Sequence, residues 1–267
     1  MTMIRFSAHL GYLFNEVPLA DRARAAAAAG FTAVEHPNPF AISTAEMRTA
    51  LSASNLVFSQ IAAAVGDGSK GEKGLTALPG READFRSAFE KSLVYATEVE
   101  CPYVHPMAGV PPKDAHEDGV SDVYRRNIEF AVEATARFDQ TVLIEAISHA
   151  AVPGYYMSTI ERAVAIQDLF GTDKVKLLID TYHAAANGFD LLPWIEKNIA
   201  RIGHFHIADN PGRHEPGTGT IEFEPLLKEL FRGRYNGAIG FEYIPSKPTA
   251  ETVGFLPLWK QLASEFR

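Results

Sequence analysis

The stretch Ile202-Gly203-His204-Phe205-His206-Ile207-Ala208-Asp209-Asn210 runs on into Pro211-Gly212-Arg213-His214-Glu215-Pro216-Gly217-Thr218-Gly219. Its first part sets apolar Ile202, Phe205 and Ile207 against polar His204, His206 and Asp209, the pattern of a short strand. Its second part packs Pro and Gly around Arg213, His214 and Glu215, the composition of a shaped loop rather than a linker. A strand that ends in His and Asp and then opens into a stiff polar loop is a common way to present a functional site.

The same strand-then-helix rhythm extends in both directions. Strands are expected over residues 4–10, 31–35, 56–61, 103–106, 141–145, 175–180, 202–208 and 237–242. Helices are expected over 17–29, ended by Gly30, from the capping box of Ser43 and Glu46 through Ala53, and over 82–98 and 120–138. Further helices follow over 159–170 with Ser158 as cap, 191–198, 223–231 and around 255–266. Eight such alternations place the chain in the α/β class, as parallel strands closed into a single (β/α)8 TIM barrel over residues 1–267. Residues 64–80 break the rhythm: five glycines with Asp67, Glu72 and Lys73 show no period, which reads as a lid.

Bulk properties narrow the functional class. The chain has 267 residues, 46% of them hydrophobic, a size that suits one α/β barrel. Twenty-five Lys and Arg against 33 Asp and Glu give a net charge of −8, which argues against nucleic acid as a partner. The single cysteine, Cys101, excludes an internal disulfide framework and reads as a buried bystander. The N-terminus lacks the pattern of a signal peptide, and no apolar run reaches the ~18 residues a membrane span needs. These features lead us to expect a cytoplasmic protein with a small-molecule partner. Phe255, Leu256, Leu258 and Trp259 suit either a homo-oligomer contact or packing on the barrel.

Four consecutive expected strands end in Glu145, Asp180, His206 and Glu242, spaced 35, 26 and 36 residues apart, each about one strand–helix unit. A parallel barrel brings strand C-termini to one rim, so the four side chains are expected to converge there. Clustered carboxylates repel unless a cation neutralises them. Three carboxylates and one imidazole suit Mn²⁺ or Mg²⁺, with Co²⁺ as an alternative. Asp209 is expected to cap or pair instead. His183 lies three residues beyond Asp180 and would face a substrate or sit on a surface loop. Arg213 offers a fork for a substrate carboxylate or a pairing partner for Glu215. His9, Glu35 and His105 end the first, second and fourth strands.

The chain resembles the hydroxypyruvate isomerase family, within the xylose-isomerase-like sugar isomerase and epimerase barrels. The matching stretches include Gly71-Glu72-Lys73-Gly74, Asp180-Thr181-Tyr182-His183, Ala208-Asp209-Asn210-Pro211, Glu215-Pro216-Gly217-Thr218-Gly219 and Gly240-Phe241-Glu242-Tyr243. The resemblance implies a divalent metal held by Glu145, Asp180, His206 and Glu242, with Glu145 and Glu242 as the catalytic acid/base pair. It implies aldose–ketose isomerisation of a small hydroxycarbonyl acid, such as hydroxypyruvate to tartronate semialdehyde. Several family members carry Gln where this chain has His206, a His shared with ketose 3-epimerases. A tagatose- or psicose-type 3-epimerase and a 2-oxo-tetronate isomerase are therefore the alternative activities. A metal-dependent nuclease acting at DNA lesions would want more His ligands and a basic face. A non-catalytic binding barrel would tolerate an empty metal site.

Overall fold

The computed structural model describes residues 4–266. Eight strands alternate with helices: β1 (Arg5–His9), α1 (Leu19–Ala28), β2 (Ala33–His36), α2 (Thr44–Ser54), β3 (Val57–Ala63), α3 (Glu82–Glu98), β4 (Tyr103–Pro106) and α4 (Glu117–Thr135). The second half runs β5 (Thr141–Glu145), α5 (Ile160–Phe170), β6 (Val175–Asp180), α6 (Thr181–Ala186), α7 (Leu191–Asn198), β7 (Ile202–Ile207), α8 (Phe223–Arg232), β8 (Ala238–Phe241), α9 (Thr249–Thr252) and α10 (Leu256–Ser264). The strands form a closed parallel barrel in chain order, β8 pairing back with β1. The expected class and barrel are thus observed.

Parallel strands covered by helices bury both faces, and β7 is buried along its whole length. Its apolar face, with Phe205 and Ile207, joins the core between barrel and helices. Its polar face points into the barrel, because His204 and His206 both reach Glu35 of β2, a strand that is not a neighbour of β7. Register then levels the site. Asp180 pairs with His206, His206 with Gly240, and Glu145 with Leu178, two residues below Asp180.

Local chemistry fixes the helix ends. The Ser43–Glu46 capping box starts α2 as expected, the Ser43 hydroxyl accepting from the Glu46 amide at 3.2 Å and the Glu46 carboxylate accepting from the Ser43 amide at 2.9 Å. At α5 the cap is Thr159 rather than Ser158: its hydroxyl accepts from the Arg162 amide at 3.2 Å. Helix α6, which shows no hydrophobic period, starts on Asp180 itself. Asp180 Oδ1 accepts from the amides of Tyr182 and His183 at 2.7 and 3.1 Å.

Residues 64–80 do not form a uniform free loop. Glu72 accepts from the Asp67 amide and pairs with Arg81, each at 2.7 Å. Residues 74–78 are buried and knitted to the segment after β4: Ala77 N donates to Ala108 O at 2.8 Å, and the Thr76 hydroxyl donates to Met107 O at 2.7 Å. These bonds fall outside any ladder or helix, which is why the segment has no period.

At the C-terminus, Phe255 stacks on Phe241 and packs at a tilt against Trp259, and Leu256 is buried, so three of the four apolar residues pack on the barrel. Leu258 is exposed. Among the described residues no helix is long and apolar enough to cross a membrane.

Candidate active site

Glu145, Asp180, His206 and Glu242 converge at the C-terminal rim of β5 to β8. One ligand-type atom from each lies within 4.8 Å of the others. His206 Nδ1 is 3.2 Å from Glu242 Oε2 and 3.9 Å from Asp180 Oδ2. Glu145 Oε1, Asp180 Oδ2 and His206 Nδ1 are buried and find no hydrogen-bond partner among the described residues. Two orphaned, buried carboxylate oxygens facing an orphaned, buried imidazole nitrogen are costly alone and are the donor types a divalent cation takes. The donor set and its orphans therefore fit a divalent metal. Asp180 divides its duties, with Oδ1 capping α6 and Oδ2 left to the site.

The electrostatics of these groups follow from their burial and spacing. Burial and the neighbouring Glu242 carboxylate push the Glu145 carboxyl well above its usual range. Burial works in the same direction on Glu242. There it is outweighed by Arg213, His9 and His206, which hold the carboxyl well below the usual range. Burial alone would lower His206, but Glu35 and Glu242 on its two sides raise it well above an ordinary imidazole.

The flanking residues take up graded positions. Arg213 does not pair with Glu215, which instead accepts from the Ser246 amide at 3.1 Å. Its Nη2 donates to Glu242 Oε2 at 2.5 Å and lies 3.6 Å from Asp180 Oδ2, while Nη1 donates to the Tyr12 hydroxyl at 3.2 Å. The guanidinium sits between the Tyr12 and Tyr182 rings, 5.1 and 5.4 Å from their centres. His183 is buried rather than on a surface loop; its Nε2 is 4.0 Å from both Glu145 Oε1 and Asp180 Oδ2, and its Nδ1 is 3.2 Å from the Ser148 hydroxyl. His9 Nε2 lies 3.3 Å from Glu242 Oε1, and His105 Nδ1 lies 3.8 Å from Glu145 Oε2. Burial pushes His105 down to about 3, so it is neutral at physiological pH.

Asp209 is no ligand. Its carboxylate accepts from the amides of Asn210, Gly217, Gly219 and Ile221 at 2.8 to 3.1 Å, organising the loop that carries Arg213. Arg213 itself adopts a left-handed backbone with φ 56°. His204 escaped the sequence reading as a site residue. Its signal was the two-residue spacing from His206, which puts both on one face of β7.

A family model described as the xylose isomerase-like TIM barrel matches residues 23–258. The chain belongs to that family. It is 39% identical over 254 residues to the 2-oxo-tetronate isomerase of Cupriavidus necator, covering 95% of this chain and 98% of that protein. It is 32% identical to the hydroxypyruvate isomerase of Escherichia coli, covering 92% and 96%. Among solved structures, a Brucella melitensis protein described as an AP endonuclease of family 2 superposes with a TM-score of 0.91 at 32% identity, covering 96% and 99%. The resemblance to hydroxypyruvate isomerases is thus borne out across most of the chain.

Proposed function

We propose that this isomerase interconverts a short 2-oxo acid and its hydroxy-aldehyde or hydroxy-ketone isomer in a metal-dependent reaction. The best candidate substrates are hydroxypyruvate, giving tartronate semialdehyde, and its four-carbon homologue 2-oxo-tetronate. The observation that carries the proposal is the convergence of Glu145, Asp180, His206 and Glu242 on one point, with the Arg213 guanidinium at its edge. A divalent cation held by those four residues would polarise the substrate's adjacent carbonyl and hydroxyl oxygens and acidify the carbon–hydrogen bond beside them.

Glu145 and Glu242 stand on β5 and just after β8, on opposite sides of the ligand cluster, so the substrate carbons lie between two carboxyl groups. One removes a proton from the hydroxyl-bearing carbon to give an enediolate, and the other returns a proton to the former carbonyl carbon. The hydroxyl proton moves in the same sense, from the oxygen that becomes the new carbonyl to the former carbonyl oxygen, so the isomerisation is balanced without an external oxidant. Arg213 offers its fork to the substrate carboxylate, and Tyr12 and Tyr182 on its two sides restrict its motion. His183 borders the site between Glu145 and Asp180, placed to donate to a substrate oxygen. The identities of relatives named for both three- and four-carbon acids support a short acid over a long neutral sugar.

The test is turnover by EDTA-stripped protein with and without Mn²⁺ or Mg²⁺, on hydroxypyruvate, 2-oxo-tetronate and a neutral ketose. The expected result is metal-restored isomerisation of an acid, at least about 100-fold slower in Glu145→Gln and in Glu242→Gln with metal bound. Turnover confined to the ketose would replace the acid reading with 3-epimerisation. Full activity in either Gln variant would sink the two-carboxylate mechanism.

A further inference from the structure

Below the ligand cluster lies a second buried constellation. Glu35, fully buried at the end of β2, reaches across the barrel to two imidazoles of β7. Its Oε1 is 2.7 Å from His206 Nε2 and its Oε2 is 2.8 Å from His204 Nε2. The same Oε2 has the Ser7 and Ser59 hydroxyls at 2.9 and 2.8 Å. Contacts from β1, β3 and β7 thus hold this one carboxylate. The space is also fitted on the β8 side, where a Cβ on Gly240 would stand 2.5 Å from Glu35 Oε1 and 2.7 Å from His206 Cδ2. The carboxylate oxygens thus sit at hydrogen-bond distance from both imidazoles.

We infer that Glu35 is a positioning residue that forces His206 to present Nδ1, as a free electron pair, to the proposed metal. A carboxylate has no proton to give, so in the Glu35–His206 bond the imidazole Nε2 is the donor. An imidazole that ligates a metal is neutral and carries one N–H, so binding displaces a proton from the charged ring; with the Nε2 proton committed to Glu35, the lone pair is left on Nδ1. Nδ1 is the nitrogen that faces Asp180 and Glu242 and finds no hydrogen-bond partner. The buried Ser7 and Ser59 hydroxyls donate to the far oxygen, with His204 packed beside it, and so hold Glu35 against the ring. The negative charge behind the ring also makes Nδ1 a better electron donor. This inference rests on the metal site proposed above.

The test is Mn²⁺ binding, by calorimetry, to wild type, Glu35→Gln, His206→Gln and the double variant, each checked for folding by circular dichroism. A Gln amide at position 35 can donate to Nε2 and let the proton move to Nδ1. The expected loss in Mn²⁺ affinity is about 10- to 100-fold in Glu35→Gln. In the His206→Gln background, where there is no ring to orient, the same change should cost less than about twofold. Equal losses in both backgrounds would make Glu35 merely structural, and unchanged affinity in Glu35→Gln would also overturn its role. Absence of Mn²⁺ binding by wild type would instead remove the metal site itself. Nitrogen-15 spectra of His206 in wild type, recorded with Mg²⁺ present, supply a reading independent of any variant's folding. A proton on Nε2 is expected, and one on Nδ1 would overturn the inference.

Discussion

Arg213 holds a guanidinium against two carboxylates that a divalent cation would also claim. Its Nη2 is 2.5 Å from Glu242 Oε2 and 3.6 Å from Asp180 Oδ2. Like charges this close in a buried site disfavour each other, so Arg213 and a bound metal are competitors. Arg213→Met is therefore expected to tighten Mn²⁺ binding, by roughly tenfold given the screening typical of protein sites. The same variant should raise KM for an acid substrate while affecting a neutral ketose much less. Calorimetry on the variant checks the first expectation, and weaker Mn²⁺ binding would show that Arg213 instead preorganises the ligands. This competition was not legible in the sequence, where a substrate carboxylate and Glu215, only two residues away, both stood open as the partner of Arg213. The four ligand-type residues were legible because each ends a strand and a barrel has a single rim for all strand ends. Glu35 with His204 was not, since their meeting depends on which residues face each other across the lumen.

The strands and the loops differ in how much of them the sequence reveals. Strands β4, β5 and β6 and helices α3 and α7 match their expected bounds, because burial imposes a period on them. Helix α6 and the buried residues 74–78 have no such period; single side chains and non-ladder backbone bonds hold them. The loop after β7 is the clearest case. The buried Asp209 carboxylate gathers four backbone amides from residues 210–221, and Gly219 approaches so closely that a Cβ there would lie 2.6 Å from Asp209 Oδ1. Removing that acceptor strands several partly buried donors at about 1–3 kcal/mol each, with partial recovery by water. Asp209→Ala is expected to cost about 3 kcal/mol, lowering the thermal midpoint by about 6–12 °C. Because the loop carries Arg213, KM for an acid should rise while Mn²⁺ affinity is held or improved. A midpoint within about 2 °C of wild type in a melting experiment would mean that the loop is held by its prolines and packing instead.

The barrel as a whole collects strand ends from the entire chain at one rim, and with them an uneven distribution of charge. Glu35, Glu145 and Asp180 are buried there beside the half-buried Glu242, in a molecule whose net charge is already −8. Arg213, the raised His206 and the reluctance of the Glu145 carboxyl to ionise relieve only part of this, so the folded state without a further cation retains unfavourable electrostatics. Unfolding disperses the four carboxylates into water and abolishes the cluster, so a cation that binds only the folded barrel stabilises it. At a free Mn²⁺ concentration 100 times its dissociation constant, this linkage contributes about 2.7 kcal/mol. For a chain of this size the melting midpoint should rise by about 5–11 °C on adding Mn²⁺ and fall back on adding EDTA. An acidic surface can also take up cations loosely, so the measurement needs a variant that loses only the cluster. Asp180→Asn keeps an oxygen to cap α6 but removes one negative ligand, and its Mn²⁺-induced shift should be less than half that of wild type. An equal shift in both proteins would assign the stabilisation to diffuse surface binding and leave the rim cluster without its cation.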